Sequence, residues 1–219
     1  MSRDHRLQIA VLISGSGTNL QAIIDAVDAG TLTVEIIAVI SDRPDALGLD
    51  RAKRANIPAI AINYANYAER SSYDARLDSE LKKLAPDLIV LAGYMRIIAD
   101  ATVNTFAGQM INVHPSLLPA YPGLNTYKRA LAAKEQHHGT TVHFVIPELD
   151  AGPSIIQYRV KIATNETEQT LRERVQLGEY LIYPQAIQWF AENRLAFENG
   201  QVVKDGQICA APKIIDAHE

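Results

Sequence analysis

The sequence predicts an α/β fold with a mainly parallel, twisted sheet, helices on both of its faces and an antiparallel C-terminal portion. In the first half, continuous apolar runs alternate with segments whose apolar residues recur at helical spacing. Such runs are typical of strands buried on both faces, and this order is typical of parallel sheets covered by helices. In the second half, two strand-like runs flank a turn and a long helical pattern follows. These observations indicate a Rossmann-like arrangement with a modified C-terminal part.

Five strands are predicted in the first half. They are rich in apolar and β-branched residues and cover residues 7–14, 34–41, 58–62, 87–94 and 110–114. Helices are predicted between the first four strands. The first helix begins near Leu20 and ends at Gly30, the second covers residues 46–55, and the third covers residues 73–84 and is ended by Pro86.

The second half is predicted to contain fewer and longer elements. Residues 140–146 and 154–162 read as strands on either side of a turn, and residues 166–193 read as a helix that Pro184 kinks or divides. A terminal hairpin is predicted from residues 197–203 and 207–209, because Asp205-Gly206 is a favourable turn dipeptide. Without repeats or a linker, the chain is expected to form a single domain over residues 1–219.

Composition narrows the class of protein. The chain has 219 residues, 47% of them hydrophobic and 21% charged, with a net charge of −4, so a summed positive field for nucleic acid is not expected. Its one cysteine, Cys209, cannot form an internal disulfide, which suits a reducing compartment. The apolar run near the N-terminus is too short for a signal peptide, and no run approaches the ~20 residues of a membrane span. A cytoplasmic protein that binds neither nucleic acid nor membrane is expected.

A glycine loop follows the first predicted strand. Gly15-Ser16-Gly17 lies between that strand and the first helix, where glycine allows close backbone approach and the helix start attracts an anion such as phosphate. The loop is not a dinucleotide fingerprint, because Leu20 occupies the place of the third glycine. Asp42, after the second strand, would bind the ribose of a dinucleotide if the fingerprint were complete. Without the third glycine, this role of Asp42 is not expected. A tight turn without a ligand remains the alternative.

Asn112 and His114 are the most informative pair in the chain. They stand two apart in the fifth predicted strand, so their side chains are expected on one side. Pro115 keeps His114 extended, and the carboxyl ends of parallel strands are where ligands bind. Histidine can transfer protons near neutral pH, and asparagine can donate a hydrogen bond to a developing oxyanion. A polar strand end satisfied by nearby backbone is the alternative interpretation.

Asp150 lies in the predicted turn between the two later strands. A carboxylate beside His114 would favour the protonated imidazole and orient the ring, although aspartate before Ala-Gly also simply forms turns. The remaining histidines are read differently. His137 and His138 are expected in a loop and His143 half-buried in a strand. No metal site is expected, because the spacing of known metal motifs is absent.

Two nucleophile classes are disfavoured. The chain has no Gly-x-Ser-x-Gly elbow, which argues against an acyl-serine hydrolase. Cys209 has no evident base partner in the sequence, so it is a weak candidate.

Three motifs together resemble a known family. They are Ile-Ser-Gly-Ser-Gly-Thr-Asn-Leu-Gln at residues 13–21, Asn-Val-His-Pro-Ser-Leu-Leu-Pro at residues 112–119, and a segment from His143-Phe144 to Glu148-Leu149-Asp150. The chain resembles the formyltransferases that use 10-formyltetrahydrofolate, from about Gln8 to about Asn199, and its glycine loop resembles their glycinamide ribonucleotide branch. The resemblance implies transfer of the formyl group to the amine of N1-(5-phosphoribosyl)glycinamide in de novo purine biosynthesis. It implies 10-formyltetrahydrofolate as co-substrate and no metal.

The resemblance also assigns residues. The implied catalytic residues are Asn112, His114 and Asp150. The implied ribonucleotide-binding residues are Gly17, Thr18, Asn19, Gln176, Leu177, Gly178 and Glu179. The implied folate-binding residues are Arg70, Met95, Arg96, Ile97, Ile98, Asn112, Ile146, Pro147, Glu148, Leu149 and Asp150. Met95, Ile97 and Ile98 are apolar and would suit the walls of a site for a flat pterin ring.

The chain departs from the family pattern at two positions. Asn125 stands where family members often carry histidine, which concerns a secondary contact, and Ala151 replaces a common glycine beside Asp150. Related enzymes remain alternatives. Methionyl-tRNA formyltransferases usually carry a further C-terminal domain, and formyl-folate hydrolases an N-terminal regulatory domain, for which little room is expected here. A ligand-binding protein without catalysis and a dinucleotide-dependent oxidoreductase are the alternatives from other classes. The sequence leaves the oligomeric state open, and a homodimer is compatible with it.

Overall fold

A computed structural model of the protein describes residues 6–217. The chain divides into two compact units, Met1–Ile111 and Asn112–Glu219. The remaining residues of the predicted domain, 1–5 and 218–219, lie outside the described part. The single domain over residues 1–219 stays a prediction.

The first unit is an α/β structure whose strands run parallel in the order β4-β1-β2-β3. Its elements alternate along the chain as β1 (Leu7–Ile13), α1 (Thr18–Asp28), β2 (Val34–Ser41), α2 (Leu47–Arg54), β3 (Ala59–Ala61), a 3-10 turn (Tyr64–Asn66), α3 (Arg70–Leu84), β4 (Leu88–Leu91) and α4 (Asp100–Thr105). The apolar residues of β1 and β4 are buried, because strands covered on both faces form the core. The loops that follow β1, β2 and β4 therefore lie at the carboxyl edge of this sheet.

The unit boundary falls inside β5 (Met110–His114). The second unit continues with α5 (Thr126–Ala132), β6 (His137–Phe144), β7 (Ser154–Lys161), α6 (Glu168–Ala191), β8 (Leu195–Glu198), β9 (Gln201–Lys204), β10 (Gln207–Ile208) and β11 (Lys213–Asp216). Strands β6 and β7 are antiparallel, whereas β11 joins β7 in parallel. Strands β8, β9 and β10 form a separate antiparallel meander.

The predicted fold class is confirmed, with corrections toward the C-terminus. The predicted strand over residues 197–203 is wrong, because Asn199 and Gly200 both have positive φ and form a turn between β8 and β9. The hairpin around Asp205-Gly206 is confirmed by the pairing of β9 with β10. Pro184 does not divide α6, which is one helix. Helices α4 and α5 and strand β11 were not predicted, since they are short and lack a clear periodic pattern.

Candidate active site

The segment after β5 is fastened to β6 by side-chain hydroxyls. The Thr140 hydroxyl donates to the carbonyl of His114 at 2.9 Å, and the Thr141 hydroxyl donates to the carbonyl of Ser116 at 2.7 Å. The backbone N–H of Leu118 donates back to Thr141 Oγ1 at 3.0 Å. These buried bonds fix the direction in which β5 ends and therefore the position of His114. The Leu118–Pro119 bond, whose isomer the sequence left open, is cis.

Asp150 reaches the site through an unusual turn after β6. Its φ is +53°, a conformation that aspartate tolerates better than most residues. Two residues later, a Cβ at Gly152 would lie 1.8 Å from the carbonyl oxygen of Phe144, so only glycine allows the turn to fold back on the end of β6. The Asp150 side chain is 8% exposed, and its Oδ2 accepts a hydrogen bond from the N–H of Gly123 at 2.8 Å.

His114 and Asp150, which the family resemblance assigns to one site, lie together. The distance from His114 Nδ1 to Asp150 Oδ2 is 3.4 Å, and the His114 side chain is also 8% exposed. His114 Nε2 lies 3.0 Å from the carbonyl oxygen of Tyr121. Since a carbonyl oxygen can only accept, Nε2 carries a hydrogen and the Nδ1 position faces the carboxylate. The pair can therefore hold a proton between a ring nitrogen and a buried carboxylate.

His143 is a site residue that the sequence analysis missed. It is 2% exposed, so the expectation of a half-buried residue is wrong. Its Nδ1 lies 2.9 Å from the carbonyl oxygen of Phe144, and its Nε2 lies 3.2 Å from Asn112 Nδ2 and 3.8 Å from Asp150 Oδ1. Burial lowers the pKa of His143 to about 4, against an opposing contribution from the Phe144 carbonyl. The only signal in the sequence was a histidine at the end of an apolar strand, next to the turn with Asp150.

The protonation state of His143 determines how the side-chain amide of Asn112 is oriented. A neutral ring whose Nδ1–H donates to Phe144 has a bare Nε2, which can only accept. Asn112 must therefore donate to it through Nδ2, and the second hydrogen of that amide group is available to another acceptor. The result is a carboxamide with a defined donor direction at the end of β5.

His138 also differs from its prediction. His137 and His138 belong to β6 and not to a loop, because β6 begins two residues before Gly139 and pairs with the end of β7. His138 is 1% exposed and lies edge-on to Tyr127, with 5.3 Å between ring centroids. Burial lowers its pKa to about 4. Within residues 6–217, no three His, Cys, Asp or Glu side chains are grouped for a metal ion; metal-free chemistry stays a prediction.

The glycine loop of the first unit is shaped by contacts with α2. The carbonyl of Gly15 accepts from the N–H of Gly48 at 3.0 Å, and the carbonyl of Ser16 accepts from Arg51 Nε at 2.8 Å. Gly17 has φ +68°, and a Cβ there would lie 2.6 Å from Gly48 Cα. Two carbonyls that would repel an anion are thus occupied by protein donors. Gly17 is the N-cap residue of α1, so the positive end of the helix lies at this loop.

The predicted folate segment of the first unit is held at several points. We call residues 95–98 the strap. The N–H of Met95 donates to Ser14 Oγ at 2.9 Å, and Arg70 Nη2 donates to the carbonyl of Ile97 at 3.1 Å. Met95 and Ile97 are exposed, whereas Ile98 is buried in the core. Two of the three predicted apolar walls are therefore available to a ligand.

The remaining predicted residues lie in the second unit. Ile146 and Pro147 are half-buried and Glu148 and Leu149 are exposed in the turn that leads to Asp150. On α6, Leu177 is exposed and Glu179 is buried, while Gly178 packs against the ring of Tyr158. A Cβ at Gly178 would lie 2.0 Å from that ring, so this glycine sets the approach of α6 to β7. Gln176, beside them, is half-buried.

Comparison with known proteins identifies the class. A family model described as formyl transferase matches residues 7–187, and the chain belongs to the formyl transferase family. It is 45% identical over 201 residues to phosphoribosylglycinamide formyltransferase of Escherichia coli, covering 92% of this chain and 95% of that protein. The enzyme of the same name from Haemophilus influenzae is 46% identical over 212 residues, covering 97% and 99%. The solved phosphoribosylglycinamide formyltransferase of Coxiella burnetii has a TM-score of 0.91 and 48% identity, covering 95% of this chain and 100% of that one.

Between residues 6 and 217, no helix combines the length and the apolar composition that crossing a membrane requires.

Proposed function

We propose that the protein transfers the formyl group of 10-formyltetrahydrofolate to the amine of N1-(5-phosphoribosyl)glycinamide, in de novo purine biosynthesis. The observation that carries the proposal is the group formed by the half-buried Asn112 and the buried side chains of His114 and Asp150. It combines an oriented amide donor with an imidazole–carboxylate pair, which suits acyl transfer through a tetrahedral oxyanion. Relatives that share 45–46% identity over nearly the whole chain bear the name of this activity.

The reaction begins when the acceptor amine attacks the formyl carbon. A C–N bond forms and the carbonyl oxygen becomes an oxyanion, while the amine nitrogen becomes positively charged. Asn112 donates to the oxyanion through the amide hydrogen that His143 does not use. His114 contributes its Nε2–H, which the substrate oxygen must draw away from the Tyr121 carbonyl; catalytic hydrogen bonds often tighten in this way only once substrate is bound.

Collapse of the intermediate requires one proton transfer. The proton leaves the new ammonium and arrives at the folate nitrogen as the bond from the formyl carbon to that nitrogen breaks. His114 or a water positioned by Asp150 carries it. Asp150 faces Nδ1 of His114 at 3.4 Å and so orients the ring toward the reacting atoms. The products are the formylated ribonucleotide and tetrahydrofolate, with neither a covalent enzyme intermediate nor a metal required.

The two substrates are assigned to different groups of residues. The glycine loop with Gly17, Thr18 and Asn19 takes the phosphate of the ribonucleotide, because its carbonyls are occupied and it opens α1. Residues 176–179 of α6 provide a second contact with the ribonucleotide. The exposed side chains of Met95 and Ile97, with Arg70, Arg96 and residues 146–150, bind the folate, whose flat ring favours apolar walls.

Cellular context follows from the activity. The protein is proposed to act in the cytoplasm on small molecules, which agrees with a single cysteine in 219 residues. A homodimer is compatible with this function but is not required by it, since all three catalytic residues belong to one chain.

The proposal is tested by following loss of the formyl group from 10-formyltetrahydrofolate, with and without the ribonucleotide. Ribonucleotide-dependent consumption with a formylated product is expected. Equal consumption without the ribonucleotide would identify a hydrolase instead. No consumption by folded protein that still binds tetrahydrofolate would mean a binding protein or a different acceptor.

A further inference from the structure

A partly buried ion pair lies in the first unit, outside the residues assigned so far to the reacting group. Asp42 follows β2 and is 3% exposed. Its Oδ2 accepts a hydrogen bond from Arg96 Nε at 2.7 Å. Its other oxygen, Oδ1, is buried and has no hydrogen-bond partner within the described residues. A buried carboxylate with one oxygen unsatisfied is costly for folding, so its presence calls for a function.

The partner of Asp42 is held on a second side by an aromatic ring. The guanidinium carbon of Arg96 lies 3.3 Å from the ring centroid of Tyr64, which is a stacked cation–π contact. Tyr64 is itself tied to Asp42, because its N–H donates to the Asp42 carbonyl at 3.0 Å. Asp42 therefore fixes Arg96 twice, through its own carboxylate and through the turn that carries Tyr64.

Arg96 is in turn part of the strap. Its terminal nitrogens make no hydrogen bond to any residue between 6 and 217, and its side chain is 35% exposed. The strap is also held at Met95 by Ser14 and at Ile97 by Arg70. The Asp42 pair is thus the third of three attachments, and it is the one that sets the direction of a charged side chain.

We propose that Asp42 is a positioning residue, which holds Arg96 and the strap in the conformation that binds the folate co-substrate. This rests on the proposed function, since the strap binds folate only if the protein is a formyltransferase of this kind. Asp42 does not touch the reacting atoms. Its removal should weaken binding of the folate and leave both the ribonucleotide and the chemical step nearly unchanged.

The test compares Asp42→Asn with Asp45→Asn. Both changes remove one carboxylate charge, but Asp45 is exposed and pairs with the exposed Arg43. Steady-state kinetics with each substrate varied in turn should show the folate KM raised about fivefold in Asp42→Asn, because the bond from Arg96 to a neutral amide oxygen is roughly half as strong as the charge-assisted bond. The ribonucleotide KM and kcat should stay within about twofold, and Asp45→Asn should match the unchanged protein.

A double-substitution cycle separates positioning from general damage. Arg96→Lys keeps the charge but loses the planar fork and its stacking. If Asp42 acts through Arg96, adding Asp42→Asn to Arg96→Lys should raise the folate KM little further. The proposal would be overturned if the effects of the two substitutions on the folate KM multiplied in the double variant. It would also be overturned if the folate KM of Asp42→Asn stayed within twofold of that of the unchanged protein. Equal changes in both KM values and kcat would overturn it as well, since they would indicate a merely structural role.

Calorimetric binding of tetrahydrofolate keeps this test independent of turnover. If the protein binds tetrahydrofolate but does not transfer formyl groups, the proposed function fails while the Kd still tests Asp42. If it does not bind tetrahydrofolate, both proposals fail. Should Asp42→Asn not fold, Tyr64→Leu removes the stacking and leaves the ion pair; a folate Kd raised severalfold is then expected, and an unchanged Kd would overturn the proposal.

Discussion

The two units differ in the kind of contact that shapes their candidate functional residues. In the second unit, buried side chains contact one another: Asp150 faces His114, and His143 holds Asn112. In the first unit, the proposed substrate-binding segments are loops whose backbone is held by hydrogen bonds from neighbouring elements, as Arg51 holds the carbonyl of Ser16. This difference predicts that substitutions in the two units should have distinguishable effects on the kinetics. Changes in the second unit's buried group should lower the rate, and changes in the first unit should weaken binding of one substrate.

The largest effect is expected at Asn112. In Asn112→Ala, kcat should fall at least about a hundredfold, because one donor to the oxyanion is lost. The ribonucleotide KM should change little. Asn165→Ala, an exposed asparagine of the same unit, serves as the control and should behave as the unchanged protein. A variant at Asn112 that retained more than half of its activity would refute the assigned role.

The glycine loop offers a matched pair of glycines. Gly17 and Gly30 both have positive φ, but a Cβ at Gly17 would meet Gly48 Cα at 2.6 Å, whereas a Cβ at Gly30 meets nothing within 4 Å. Gly17→Ala should therefore raise the ribonucleotide KM about tenfold or more, since overpacking typically costs 1–3 kcal/mol. The folate KM should not follow it. Gly30→Ala should show only the backbone strain of a positive φ, which both variants share, and should therefore be less stable with normal kinetics. Equal rises in both KM values of Gly17→Ala would argue against the placement of the phosphate at this loop.

His143 tests whether the amide of Asn112 needs its acceptor. His143→Leu removes the acceptor, and kcat should fall about tenfold because the donor direction is no longer fixed. His143→Gln offers an oxygen near the place of Nε2 and should recover part of the loss. Thermal unfolding of both variants measures the cost in stability. Similar kcat values for Leu and Gln would indicate that the ring acts only by filling space.

A further prediction concerns the stability of the fold against acid, with no effect on catalysis at neutral pH. The pKa of His138 is lowered to about 4 in the folded protein, so the unfolded chain binds the proton first as the pH falls. Stability is then fully present above about pH 6.5 and is lost between there and about pH 4, by up to about 2 kcal/mol at pH 5. Urea unfolding at pH 7 and pH 5 should show a smaller difference in His138→Phe than in the exposed control His137→Asn. If the difference in stability between pH 7 and pH 5 were the same in both variants, His138 would not be the cause of the loss of stability in acid.

The sequence predicted the features that depend on local pattern. The parallel strands of the first unit could be predicted from their apolar runs, whereas the assignment of His114 and Asp150 to one site came from the family resemblance. His143 was missed because its role depends on Asn112 in another strand, and a histidine within an apolar run resembles ordinary core. The pairing of Asp42 with Arg96 could not be predicted from the sequence for the same reason, since 54 residues separate the two. The turn at Asn199-Gly200 could have been recognised, because Asn-Gly is a strong hairpin signal.

Asp150→Asn tests the central claim most directly. The substitution keeps the shape of the side chain and removes the charge that faces His114. In a single-turnover experiment with both substrates saturating, formyl transfer should slow at least about a hundredfold, while the Kd of the ribonucleotide stays within twofold. Transfer at more than half the normal rate would contradict the account, because the buried carboxylate would then be a turn former and not part of the chemistry.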